Sequence, residues 1–108
     1  MAEIKELNDN NFESSLSEQD LAFVDIYADW CGSCRLFFKT FDEVASNTSN
    51  AAFFKIEGEE NEKFRDSLEI PNLPYVAAFS KGKFIDGVST AKKEGLEAFI
   101  NSVREKLQ

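Results

Sequence analysis

Residues 21–28, LAFVDIYA, run almost without a polar interruption, and the one interruption is a carboxylate, Asp25. A strand with one wet face alternates apolar and polar residues. This one does not, so it must be covered on both faces. Such a strand belongs in the middle of a layered α/β structure, with helices on both sides of a sheet. Phe23, Val24 and Ile26 leave Asp25 no wet side to turn to, and an ionised carboxylate there is costly.

The flanking segments supply the layers. AEIKEL (2–7) reads as a short strand and NDNNFESSLSEQ (8–19) as a first helix, with Phe12 and Leu16 on one face. Asn10 followed by Glu13 suits that helix's start. From Cys31 to Ser46 the apolar residues Phe37, Phe41, Val44 and Ala45 recur at helical spacing. AAFFKIE (51–57) is the next strand, so residues 21–57 form a βαβ unit with a right-handed crossover. A short helix around 60–68 carries Phe64 and Leu68, and the charge run EGEENEKFRD (57–66) is its solvated face.

YVAAFS and KFIDGV flank Lys81-Gly82, a tight-turn signal that makes these strands an antiparallel hairpin. Leu96, Phe99, Ile100, Val103 and Leu107 form one stripe on a last helix. The sum is one α/β domain over 1–108, a central mixed five-stranded sheet flanked by about four helices. The 11 phenylalanines are core filling in this reading.

Charge and missing residue types exclude several functions. The formal net charge is −8, which argues against binding nucleic acid. No histidine is present, so no Ser/His or Cys/His catalytic pair exists. No stretch approaches the length of a membrane span. The polar start, MAEIKELNDNNF, lacks the apolar core of a secretory signal, and a cytoplasmic location is expected.

Asp25 is followed by the chain's two cysteines, Cys31 and Cys34. A bare C-x-x-C can be half a zinc site, a structural disulfide or a redox dithiol. Zinc wants four ligands, and this chain offers two thiols and no imidazole, which leaves only a site shared between chains. A disulfide closing so short a loop adds little stability through loop entropy. The redox reading has positive support. The pair falls at a strand-to-helix junction, where cysteines at i and i+3 approach closely enough to bond, and the helix N-terminus favours a thiolate at Cys31.

Cys34, one turn into the helix, is expected to be buried, and a buried thiol holds its proton. A buried carboxylate beneath it could accept that proton, which gives Asp25 a task. Lys55 interrupts the next strand; two charges in adjacent buried strands can pair, which makes Asp25 its expected partner, while a lone lysine in a strand more often snorkels to water. Gly32 leaves the backbone open to an approaching substrate, and Trp30, the only tryptophan, flanks the site.

The segment VDIYADWCGSC resembles the active-site segment of thioredoxins, V-D-F-W-A-x-W-C-G-P-C, and the resemblance extends from Phe12 to the last helix. It implies a thioredoxin fold and a reductase of protein disulfides, with Cys31 as nucleophile and Cys34 as resolving cysteine. Asp25 and Lys55 correspond to the family's buried aspartate and its lysine neighbour. A family cis-proline maps to Leu73-Pro74-Tyr75, whose Leu73 backbone would pair with an extended substrate. Trp30, Leu73 and Tyr75 would form an apolar rim. No bound cofactor or metal is implied; electrons would come from a thioredoxin reductase, and the chain is expected to act as a monomer away from membranes.

Some positions depart from the pattern. Ser33 replaces the usual proline and is expected to tune the pair to a less reducing potential. Tyr27 replaces a common tryptophan, Tyr75 a threonine, and Lys39 a kinking proline. An oxidant- or isomerase-like protein, or a non-catalytic binding module on the same fold, stay as alternatives.

Overall fold

A computed structural model describes residues 3–108. Nine elements follow one another: β1 (Lys5–Leu7), α1 (Phe12–Ser17), β2 (Ala22–Tyr27), α2 (Gly32–Ser46), β3 (Ala52–Glu57), α3 (Glu62–Asp66), β4 (Tyr75–Ser80), β5 (Lys83–Ser89) and α4 (Lys93–Lys106). Residue 2 of the expected first strand lies outside the described residues.

The five strands form one sheet in the order β1-β3-β2-β4-β5, which puts the apolar run of β2 at the centre. β1, β3 and β2 are parallel. β4 runs antiparallel to β2, and β5 antiparallel to β4.

Strand alternation divides the core into two layers. Phe23 of β2, Phe53 of β3 and Val76 of β4 face α2 and α4, where they meet Phe37, Phe41, Leu96 and Phe99. Val24, Ile26, Phe54, Ile56, Tyr75 and Ala77 face the other way, onto Phe12 and Leu16 of α1 and Phe64 of α3. All phenylalanines except Phe38 and Phe84 are buried, in line with core filling. Edge-to-face pairs such as Phe41–Phe53 (5.5 Å) and Phe12–Phe64 (5.1 Å) orient them. Because alternation is strict, Asp25 shares the face of Phe23 and lies beneath α2.

The β4–β5 turn is as expected. Lys81 (φ 50°) and Gly82 (φ 84°) both occupy the left-handed region, as a two-residue hairpin turn demands. Three boundaries differ from the sequence reading. The α1 N-cap is Asn11, not Asn10, and its side chain makes no capping bond. Instead the Asn8 side chain accepts the N–H groups of Asn10 and Asn11. α3 ends at Asp66, so Leu68 packs from the following loop. Leu107 follows the last turn of α4 and is 41% exposed, while the other four residues of its stripe are buried.

Phe41 is fully buried between Phe37 and Phe53. Phe41→Ala is expected to cost about 3–5 kcal/mol of stability in urea unfolding. Leu107→Ala, at the exposed end of the same layer, should stay within about 0.5 kcal/mol.

Candidate functional site

Cys31 is the N-cap of α2 and Cys34 lies in its first turn; they are joined by a disulfide with Cα atoms 5.3 Å apart. Cys31 keeps an extended backbone (φ −88°, ψ 103°), and its Sγ accepts the backbone N–H of Cys34 at 3.2 Å. A sulfur thus occupies the position where a helix start normally receives a serine or aspartate oxygen. The same N–H and the positive end of the α2 dipole act on any negative charge that Cys31 carries once reduced.

The junction is fastened from outside. The Cys31 N–H donates to the Ala28 carbonyl at 3.0 Å, and Arg35 Nη1 donates to the Asp29 carbonyl at 2.8 Å. Ser33 Oγ lies 3.4 Å from Cys31 Sγ. A β-carbon at Gly32 would meet nothing within 4 Å, so packing does not require glycine there; its backbone is simply left uncovered.

The Leu73–Pro74 peptide bond is cis, and Leu73 packs against the cysteine pair. Trp30 is 68% exposed and shares with Leu73 the wall of a cavity of about 580 Å³, together with Ile26, Glu59, Leu68 and Ile70. Tyr75 does not join this rim. It is 7% exposed and its side chain lies on the α1–α3 face, the side of the sheet opposite Asp25, because it directly follows the proline on a strand whose residues alternate. Its ring fills the space over Gly87, where a β-carbon would overlap the phenol.

Behind the disulfide, Asp25 and Cys34 line one cavity of about 370 Å³ with Tyr27, Phe38, Lys39 and Lys55. Asp25 is 1% exposed, and neither carboxylate oxygen has a hydrogen-bond partner among the described residues. Burial pushes its pKa from 3.8 up to about 7; Lys55 opposes this and Glu6 adds to it. Here the expected Asp25–Lys55 ion pair is corrected. The two residues are level in adjacent strands. Yet the Lys55 stem crosses Phe38, its Nζ 4.6 Å from the ring centroid, to reach water and Glu6 Oε1 at 3.7 Å.

Sequence reasoning passed over Glu6, whose short polar strand carries no signal, and Glu57. Glu57 is buried, and its Oε1 accepts the Glu60 N–H at 2.7 Å. Among the described residues, no helix is long and apolar enough to cross a membrane.

Asp25 makes stability depend on pH. Between about pH 4 and pH 7, folded Asp25 retains a proton that the unfolded chain, titrating near 3.8, has lost. Stability is therefore full below that window and falls as pH rises through it, by roughly 2–4 kcal/mol. Asp25→Ala should abolish the fall. Urea unfolding of the oxidised protein should find the variant more stable than the parent at pH 8, by about that amount, and near parity at pH 4. A parent whose stability is flat between these pH values would contradict a desolvated Asp25.

The family model for thioredoxin matches residues 3–102. Chlamydia pneumoniae thioredoxin is 30% identical over 99 residues, 91% of this chain and 96% of that protein. Thioredoxin C-3 of Corynebacterium nephridii is 30% identical over 87 residues, 80% of this chain; the chain spans only 60% of that protein's length. In shape, a chain from a crystal structure of a ferredoxin:thioredoxin reductase and thioredoxin f2 complex superposes with a TM-score of 0.86 at 23% identity, covering 94% of each chain. The sequence match takes in every element from β1 through most of α4, and the chain belongs to the thioredoxin family.

Proposed function

We propose that this chain reduces protein disulfides by reversible thiol–disulfide exchange, acting as a single domain. The observation that carries the reading is the cysteine pair at the start of α2 with an unpartnered carboxyl group in the cavity behind it. The reduced Cys31 thiolate attacks one sulfur of a target disulfide; a mixed disulfide forms and the other target sulfur leaves as thiolate. Asp25 takes the proton of Cys34, whose sulfur attacks Cys31 Sγ. The Cys31–Cys34 bond forms, the second target sulfur leaves and is protonated, and two electrons have passed to the target.

Trp30, Gly32 and Leu73 offer the docking rim, with the backbone beside cis-Pro74 open to an extended segment. Lys55 partly offsets the rise that burial imposes on the Asp25 pKa. A reductase returns the electrons, and the protein acts as a monomer in the cytoplasm, where its net charge of −8 keeps it dispersed. Support for a reductase partner comes from the solved complex that a similar chain shares with ferredoxin:thioredoxin reductase.

One observation favours a second, less reducing or isomerase-like role. Ser33 Oγ stands within 3.4 Å of Cys31 Sγ, where its hydroxyl can donate to the thiolate and stabilise the reduced form.

Two measurements test these readings. Cys34→Ser should accumulate mixed disulfides between Cys31 and a disulfide-bearing protein, resolved by added dithiol; a variant that traps nothing would leave a binding module. The reduction potential, followed through Trp30 fluorescence, should lie above the thioredoxin value of about −270 mV. Ser33→Pro should move it toward more negative values, and a parent at or below the family value would reject the tuning role.

A further inference from the structure

Three adjacent strands place one charged residue each in a single row. Glu6 of β1 is level with Lys55 of β3, and Lys55 with Asp25 of β2. Alternation puts all three on the α2 face, since Leu7, Ile56 and Ile26 pack on the other. One ammonium therefore stands between two carboxyl groups, and it has gone to the outer one.

Both oxygens of Glu6 are engaged in holding it there. Tyr27 donates its hydroxyl to Glu6 Oε2 at 2.7 Å, leaving Oε1 turned to Lys55 Nζ at 3.7 Å. The Phe38 ring beneath the ammonium adds a cation–π contact at 4.6 Å. Asp25, deeper in the same row, is left without a partner.

We propose that Glu6 is a positioning residue for the exchange reaction: anchored by Tyr27, it holds Lys55 at the sheet edge and so keeps a fixed cation away from Asp25. The inference rests on the proposed function in one respect, that Asp25 takes the proton of Cys34. An ammonium within about 4–6 Å of a carboxylate lowers its proton affinity tenfold or more. A carboxylate paired with Lys55 would be a weaker base for Cys34, and one without it keeps its affinity near neutrality.

Other titratable and charged groups face Asp25 from the elements around it. From α2, Cys34, Arg35 and Lys39 share its cavity. Arg35 is committed to the Asp29 carbonyl, and Lys39 is exposed. Tyr27 is the titratable neighbour on β2 itself; burial first, then its bond to Glu6, holds its proton on and preserves it as a donor. β4 offers Val76 at the level of Asp25, which carries no charge. Lys55 is the cation whose place is decided by competition, and Glu6 decides it.

The test titrates Asp25 in the oxidised protein by its carboxyl carbon resonance, with no substrate or reductase present. In Glu6→Gln the midpoint should fall from about 7 by about one pH unit, a tenfold loss of proton affinity. Tyr27→Phe, which removes the anchor alone, should move it the same way by less. Lys55→Met should raise it, and adding Glu6→Gln to Lys55→Met should then change it by no more than a few tenths. The decay of a preformed mixed disulfide on Cys31 should show its pH midpoint displaced downward in Glu6→Gln by the same amount.

An unmoved or raised midpoint in Glu6→Gln would overturn the proposal. So would a full shift that persists without Lys55, since Glu6 would then act through its own charge. A shifted titration with unshifted decay would overturn it differently, by removing Asp25 from the reaction; the titration alone separates that outcome from a failure of the charge row.

Discussion

Burying Asp25 between Val24 and Ile26 on the central strand obliges the rest of the structure to replace what water would have done. No hydrogen bond from the described residues compensates it. The carboxyl group survives there by holding a proton near neutrality, and it does so at a cost in stability that other contacts must offset. The two aromatic layers supply that surplus. One binds α2 and α4 to the sheet through Phe23, Phe41 and Phe53, the other binds α1 and α3 through Phe12, Phe54 and Phe64. The rigid sheet then sets where α2 begins, and the α2 start sets where the two sulfurs lie.

The site needs this rigidity because the exchange proposed for it asks for opposite environments a few ångströms apart. Cys31, at the helix N-terminus beside Ser33, is placed where negative charge is favoured. Cys34, one turn deeper and almost fully buried, is placed where it is not. A base behind Cys34 resolves the conflict only if it is itself poised to gain or lose a proton at the working pH. An exposed aspartate would be ionised but too weak a base. Burial alone could hold it protonated too firmly, and Lys55, level with it but drawn outward, tempers that field without closing on it.

Much of this was legible in the residues, and the exceptions share a cause. The doubly covered β2, the Lys81-Gly82 turn and the cysteine pair at a helix start each rest on local rules of alternation, backbone freedom and capping. What stayed hidden depends on side chains brought together from far apart in the chain. α3 is capped not by its own neighbours but by Asp9, whose two carboxylate oxygens accept the N–H groups of Lys63 at 3.1 Å and Phe64 at 2.9 Å. Lys55 was assigned to Asp25 because the two strands were seen to be adjacent; that a third strand would bring Glu6 to the same row could not be read from the short segment KEL. Strand order decides such competitions, and it is the least local property of a sheet.

The two tyrosines that depart from the family pattern show how position in a pleat separates function from packing. In sequence, Tyr27 and Tyr75 look alike, each flanking a conspicuous site element. In the fold, Tyr27 lies on the α2 face, lines the Asp25 cavity and reaches Glu6. Tyr75 begins β4 on the opposite face, where its ring and the bare backbone of Gly87 fit one another and any side chain at 87 would collide. The exchange of a small residue for tyrosine at 75 is therefore a matter of filling the α1–α3 layer beside an edge strand, with Gly87 as its necessary partner. The exchange at 27 reaches the cavity that holds Asp25 and Cys34. Differences between this chain and its relatives in pH response should trace to the side of the sheet that holds Tyr27, Glu6 and Lys55, because Tyr27 and Lys55 line the cavity that Asp25 shares with Cys34.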